Sequence, residues 1–157
     1  MEEKRLVTIL VPAYNEEEVL EMLYERLKKI MEENGKYNFE ILLVNDGSKD
    51  RTLEIMQELR KKDERVCYLS LSRNFGKETA MIAGLDYCKG DAVIIIDADL
   101  QDPPELIPEM LKYWEEGYDD IYAKRRSRKG ESWLKKFTSS MYYKVLQTFT
   151  KIQIQKD

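Results

Sequence analysis

The sequence contains no histidine. That excludes imidazole metal ligands and every catalytic triad built on a histidine base. Two cysteines, Cys67 and Cys88, lack CxxC spacing, which offers neither a zinc ribbon nor a disulfide scaffold. Both lie among apolar or small residues, and the expectation is buried free thiols in a reducing compartment. No apolar run reaches the roughly 18–20 residues that a membrane-spanning helix needs. Glu2, Glu3, Lys4 and Arg5 lead straight into a strand-like run, so no secretory leader is read there. The expected setting of the chain itself is cytoplasmic. Large excess charge is also missing. A net charge of −4 argues against a dedicated nucleic-acid binder. No repeat, low-complexity tract or interdomain linker interrupts the 157 residues, which suit one domain with a sizeable core.

What is present is a regular alternation of apolar runs and amphipathic stretches. Strands are predicted at Leu6–Val11, Phe39–Val44, Val66–Leu71 and Ala92–Ile96, the last expected to be the most buried. Helices are predicted at Glu16–Glu33, Asp50–Lys62, Lys77–Cys88 and Pro103–Glu116. A short strand is expected at Asp120–Ala123, a basic loop at Lys124–Lys129, and a longer helix from about Ser132 to Thr150. The tail from Lys151 to Gln155 alternates like the start of another strand. The helix Lys77–Cys88 carries Ala80, Ala83 and Gly84 and could pack closely. Such a series predicts an α/β fold, a mostly parallel sheet covered by helices on both faces and doubly wound by right-handed crossovers.

The chemistry concentrates at predicted strand ends. The run Ile94-Ile95-Ile96-Asp97-Ala98-Asp99-Leu100-Gln101 ends an apolar strand in two carboxylates spaced i, i+2, which strand alternation would point the same way. Two hard oxygen ligands there, with Gln101 able to add a third, suit Mg²⁺ or Mn²⁺ bridged to phosphates. Asp102-Pro103 is expected to cap and start the next helix. Pro12-Ala13-Tyr14-Asn15-Glu16 follows the first strand, where Pro12 ends the ladder and Asn15 could cap the helix. Asp46-Gly47-Ser48 after the second strand is ordinary turn chemistry taken singly, but it puts a third carboxylate at a strand end. Arg73 and Lys77 flank Gly76 at a helix start, a position suited to anions. Five cations lie within Lys124–Lys129 and could bind phosphate. Trp133, Leu134, Phe137, Met141, Val145 and Phe149 form a stripe that is either core-facing or a membrane-surface face.

Taken together, these segments resemble the inverting family 2 glycosyltransferases with the Rossmann-like GT-A fold. Within them the chain is most similar to bacterial polyprenyl-phosphate glycosyltransferases, relatives of dolichol-phosphate mannose synthase. The resemblance runs through Val11–Glu16, Val44-Asn45-Asp46-Gly47-Ser48, Ser72–Glu78, Ala83-Gly84-Leu85, Asp97–Pro104 and Arg125–Ser132. It implies that Pro12, Tyr14 and Glu16 frame the nucleotide, with Ala98 also at the nucleotide. Asp46 would hydrogen-bond the base and Asp97 would face the ribose or sugar. Asp99 and Gln101 would hold Mg²⁺ or Mn²⁺ against the diphosphate. Arg125, Lys135 and Ser139 fall near positions that bind the acceptor phosphate in relatives. Asn45 stands where many relatives carry Asp, which implies a tuned site rather than a dead one.

The implied reaction is transfer of a sugar from a nucleotide-diphosphate donor, UDP-linked, to a polyprenyl phosphate, with Asp97 and Asp99 as the catalytic pair. Relatives continue with an acidic catalytic segment, an amphipathic helix and usually two membrane helices. The chain is therefore expected to be a catalytic domain shortened at its C-terminus, with the base of its relatives outside it. The full-length protein would work at the inner face of the cell membrane, with peripheral membrane contact and self-association possible for this architecture. One rival is a domain that binds nucleotide-sugar without turnover. A receiver domain shares the layout but wants an acidic pair after its first strand, where this chain has Pro12-Ala13-Tyr14-Asn15.

Overall fold

The computed structural model describes residues 4–123. The chain divides into two compact units, Met1–Gly117 and Tyr118–Asp157, and every helix and strand of the described residues lies in the first. The elements run β1 (Leu6–Ala13), α1 (Leu20–Glu33), β2 (Asn38–Asn45), α2 (Thr52–Lys62), β3 (Val66–Ser70), α3 (Lys77–Tyr87), β4 (Ala92–Ile95), a 3₁₀ turn (Pro104–Leu106) and α4 (Ile107–Glu115). The four strands form one parallel sheet in the order β3-β2-β1-β4. Representative register pairs are Val11 with Leu43, Ile9 with Ile94, and Ile41 with Val66.

Alternation along β1 divides the core in two. Val7, Ile9, Val11 and Ala13 join Leu23 and Leu27 of α1, Ile55 and Leu59 of α2, and Ile107 and Leu111 of α4. Leu10 joins Leu42, Val44 and Ala80 on the other side. Hence α1 and α2 cover one face and α3 the other, as expected of a doubly wound sheet. The chain walks outward from β1 to β3, then returns to lay β4 on the opposite flank of β1. That reversal between β1 and β4 is a topological switch point, where α/β folds open a crevice at the carboxyl ends of strands.

Close packing of α3 depends on Gly84. A Cβ there would lie 2.3 Å from Leu10 Cδ1 and 3.0 Å from Val44 Cγ2. Gly84→Ala gains helix propensity but must displace both side chains. We expect a net loss of about 1–2 kcal/mol, within the range for overpacked cores, read as a lower denaturant midpoint at unchanged slope.

Several expectations need correction. β4 is an edge strand among the described residues, not the most buried one: Val93 and Ile95 are 36% and 46% exposed, whereas Val7, Ile9 and Val11 of β1 are fully buried. Asp120–Ala123 forms no strand; only Ile121 there is even half-buried, which leaves no apolar face to hold a ladder. α1 starts at Leu20 with Val19 at its cap position, because Asn15 turns away in a left-handed conformation with φ of 57°. Pro103, not Asp102, holds the cap position of the 3₁₀ turn that precedes α4. Cys67 and Cys88 are free thiols, half-buried rather than buried, packed at the margin of the smaller core. The basic loop, the helix from about Ser132, the tail strand, and Arg125, Lys135 and Ser139 lie outside the described residues.

Away from the carboxyl ends of the strands, Asp63 closes the end of α2. Its carboxylate accepts from Arg65 Nε and Nη2 at 2.9 and 2.7 Å and from Tyr24 Oη at 3.1 Å. The Arg65 hydrogen bonds hold its pKa down from 3.8 to about 2. Burial and the bond to Asp63 push the Tyr24 phenol up to about 12. A depressed carboxylate stabilises the fold above its unfolded value and loses that contribution as pH falls through the folded one. Acid unfolding of the wild type should therefore steepen between pH 3.8 and about 2. Asp63→Asn should flatten that window in a circular-dichroism titration.

Candidate functional site

A cleft of about 260 Å³ opens at the carboxyl ends of the strands, lined by Pro12, Ala13, Tyr14, Glu16, Asp46, Asn74, Gly76, Lys77, Ala80, Asp97, Ala98 and Asp99. It draws on the ends of β1, β2 and β4 and the start of α3, the place where the switch point puts a crevice. Pro12, Tyr14, Glu16, Asp46, Asp97 and Ala98, all expected at a nucleotide, come together here, and Asp99 with them. Gln101 is not among the lining residues; its backbone N–H donates to Asp99 Oδ1 at 3.0 Å.

Loops after the strands are fixed by cross-links that the sequence hides. Asn15 N donates to Ser48 Oγ at 3.0 Å, and Lys49 N donates to Asn15 Oδ1 at 2.8 Å. Glu16 N donates to Thr52 Oγ1 at 2.8 Å. Asp50 accepts from Thr52 N and Oγ1 and from Glu17 N, so the β1–α1 and β2–α2 loops are one structure. Asn45, 2% exposed, donates from Nδ2 to Ser70 Oγ and accepts from Ser48 N, each at 2.9 Å. Its amide uses both ends as a brace between β2, β3 and the following turn.

Asp46 is almost fully buried and is engaged with the third loop. Its carboxylate accepts from Asn74 Nδ2 at 3.0 Å, Phe75 N at 2.7 Å and Gly76 N at 2.9 Å. Gly47, at φ of 65°, packs so tightly that a Cβ would fall 2.2 Å from the Arg73 carbonyl carbon. An L side chain would meet backbone and an unfavourable dihedral together. The residue expected to contact the base is thus also the anchor of the loop from Ser72 to Lys77.

That loop delivers Lys77 to the acidic turn. Lys77 Nζ donates to the Asp97 carboxylate at 2.6 Å. Arg73, its expected companion, lies instead over the Phe75 ring at 4.6 Å from the centroid. β4 ends at Ile95, so Asp97 and Asp99 occupy a turn rather than strand positions. Ile96 N still bonds Leu10 O at 3.1 Å, and Leu100 reverses the chain at φ of 60°. Both carboxylates line the cleft because of this turn, not because of strand alternation. Glu16 faces them: burial raises its pKa above 4.5, followed by the charges of Asp99, Asp50 and Asp97.

The donor set is therefore oxygen only, with negative charge gathered on Asp97, Asp99 and Glu16. Among the described residues no group of three or more acidic, histidine or cysteine side chains is arranged to hold a metal by itself. A hard divalent cation with one or two carboxylates and the phosphates of a ligand matches this set. Lys77 and Gly76, expected only as a position suited to anions, line the cleft, as do Asn74 and Ala80, to which the sequence had given no role. The available signal was Gly76 between a strand end and a helix of small residues.

The family described as Glycosyl transferase family 2 matches residues 8–157. The chain is 52% identical over 150 residues to the uncharacterized glycosyltransferase YkcC of Bacillus subtilis (strain 168), covering 96% of this chain and 46% of that one. It is 42% identical over 151 residues to the bactoprenol glucosyl transferase of Shigella phage SfX, covering 96% and 49%. The chain thus spans about half the length of the curated relatives it matches. Among solved structures, the mannosyltransferase PcManGT from Pyrobaculum calidifontis in complex with GDP-Man and Mn²⁺ aligns with a TM-score of 0.52 at 25% identity, covering 65% of this chain and 34% of that one. S. aureus TarS 1-349 in complex with UDP-GlcNAc aligns at 0.50 and 26%, covering 69% and 32%. The mannosyl-3-phosphoglycerate synthase from Rubrobacter xylanophilus, at 21% identity, shares the fold with a TM-score of 0.66 over 90% of this chain and 47% of that one. With its Rossmann-like GT-A sheet and a family match running nearly its full length, the chain belongs to glycosyl transferase family 2.

Proposed function

We propose that residues 1–157 form the catalytic, nucleotide-sugar-binding domain of a metal-dependent inverting glycosyltransferase. It would move a sugar from a UDP-linked donor to a polyprenyl phosphate. The observation that carries this reading is the cleft itself, where Pro12, Tyr14, Glu16, Asp46, Asp97, Ala98 and Asp99 converge at the switch point. The UDP-GlcNAc and GDP-Man complexes of TarS and PcManGT support a nucleotide-diphosphate sugar, and the second supports Mn²⁺ or Mg²⁺. The bactoprenol glucosyl transferase supports a polyprenyl phosphate acceptor and work at a membrane surface. Among the described residues no helix is long and apolar enough to cross a membrane.

The roles proposed are those the resemblance implies, and the lining of the cleft supports them. Pro12, Ala13 and Tyr14 wall the cleft at the end of β1, and the half-exposed Tyr14 ring offers a face to a base. Asp46 has spent three acceptor positions on its loop; a carboxylate has about four lone-pair sites, leaving one edge for a base N–H. Asp97 would meet the ribose or sugar, and Asp99 would hold the cation together with Gln101, whose backbone N–H bonds the Asp99 carboxylate in this structure. The cation, when bound, neutralises charge on the departing diphosphate. The acceptor, a phosphate monoester with a second pKa near ~6, is largely ionised at neutral pH. It needs positioning by cations, proposed as Arg125 and Lys135 with Ser139, more than deprotonation.

Acceptor-dependent release of UDP from a UDP-sugar tests turnover, on this chain and on this chain extended by the C-terminal part of a relative. Release that needs polyprenyl phosphate supports the transferase. Tight UDP-sugar binding without release in either form would favour a binding domain instead.

A further inference from the structure

The cleft holds a charge imbalance. Glu16, Asp46, Asp97 and Asp99 line it, and Lys77 is the one cation among its described lining residues. Lys77 is spent on Asp97 at 2.6 Å. A divalent cation held by Asp99 and an ammonium on Asp97, two residues away, would repel one another. The ammonium must then leave, on a flexible four-carbon stem rooted at the first residue of α3. A diphosphate entering beside that cation is the nearest new anion.

We infer that Lys77 is an exchangeable counter-ion: it holds Asp97 while the cleft is empty and passes to the donor diphosphate when a divalent cation binds at the neighbouring Asp99. The inference rests on the donor-site reading above and adds a residue that reading does not use. Three features prepare the exchange. The pair is half-open to solvent, with side-chain exposures of 52% for Lys77 and 32% for Asp97, so breaking it does not strand a buried charge. The backbone behind Lys77 is held, since Asp46 grips Phe75 N and Gly76 N; only the side chain needs to move. The start of α3 already favours an anion, because helix N-termini carry partial positive charge. In the empty cleft, the pair keeps Asp97 ordered and softens repulsion among the acids.

The test is a set of binding titrations on the wild type, Lys77→Met and Lys77→Arg, with Mn²⁺ alone, uridine alone, and UDP in the presence of Mn²⁺. Exchange predicts opposite signs. Lys77→Met should bind Mn²⁺ alone several-fold more tightly, since the repelling charge beside Asp99 is gone. It should bind UDP with Mn²⁺ about tenfold more weakly, the typical loss of a charge-assisted hydrogen bond. Uridine, which has no phosphate, should be unaffected, and Lys77→Arg should recover most of the UDP affinity. A purely structural Lys77 would lower all three together, which would overturn the inference, as would unchanged UDP affinity in Lys77→Met. A wild type that binds neither uridine nor UDP would count against the donor site itself and take the inference with it.

Discussion

Asp99→Ala is expected to abolish metal-dependent UDP binding while leaving the fold intact. Asp99 is exposed on the turn after β4, and its side chain makes one local bond, to Gln101 N. Little packing is lost when it is truncated. Its charge is also one of those that raise Glu16, so removing it relieves repulsion in the empty cleft. Thermal stability without metal should hold steady or rise slightly. Binding should move the other way. In the proposed site Asp99 carries the cation that offsets the diphosphate, a contribution of several kcal/mol in a catalytic metal site. The expected loss is about 100-fold or more, larger than the 10–100-fold typical of residues that only support a metal ligand. Calorimetric titration of UDP and GDP with and without Mn²⁺ reads this directly. UDP affinity in Mn²⁺ that stays within a few-fold of wild type would reject Asp99 as the metal ligand. Comparing the two nucleotides in the wild type also settles which donor class the cleft prefers.

The contrast between fold and site shows what can be read in a chain of this kind. Strand positions were legible because β1 and β2 are nearly continuous apolar runs between polar turns, and α1 because its apolar residues recur on one face. The rank of β4 was not. Val93 and Ile95 are as apolar as Ile9 and Leu10, and nothing in a local pattern tells an edge from a centre. The start of α3 at Lys77 was placed as found, but the other three helix starts were misplaced. Asn15, Asp50 and Asp102 all have capping chemistry, but such side chains can equally bond a neighbouring loop. Asn15 and Asp50 do, knitting the β1–α1 loop to the β2–α2 loop over a separation of more than thirty residues. The acidic positions of the site were legible because strand ends at a switch point must face the ligand crevice. Lys77 was visible as a cation beside a glycine, but its partner Asp97 lies 20 residues away, and only the fold supplies that pairing.

Asp46→Ala should cost more stability than any other single change in the cleft, and should cost binding with it. The wild-type carboxylate satisfies three donors from one loop, two of them backbone N–H groups. At 3% exposure water does not replace it readily. Leaving buried donors unsatisfied costs about 1–3 kcal/mol each. Relaxation of the loop will recover part of that, and a net loss of about 2–4 kcal/mol is expected. The denaturant midpoint should fall with little change in slope, since the loop is a small part of the surface exposed on unfolding. Asp46→Asn separates charge from shape. One amide oxygen can still accept from backbone, but the amide nitrogen would confront a donor, so this variant should fall between wild type and Asp46→Ala. The loop positions Lys77 and Gly76 in the cleft, so both variants should weaken UDP binding in the order of their instability. Uridine binding gives the finer division. A direct bond from Asp46 to the base predicts a uridine loss in Asp46→Asn beyond that of a variant with equal destabilisation elsewhere, such as Gly84→Ala. Equal uridine affinities in those two proteins would leave Asp46 as a loop anchor alone, and the base contact would have to come from Asn74 or the wall at Tyr14.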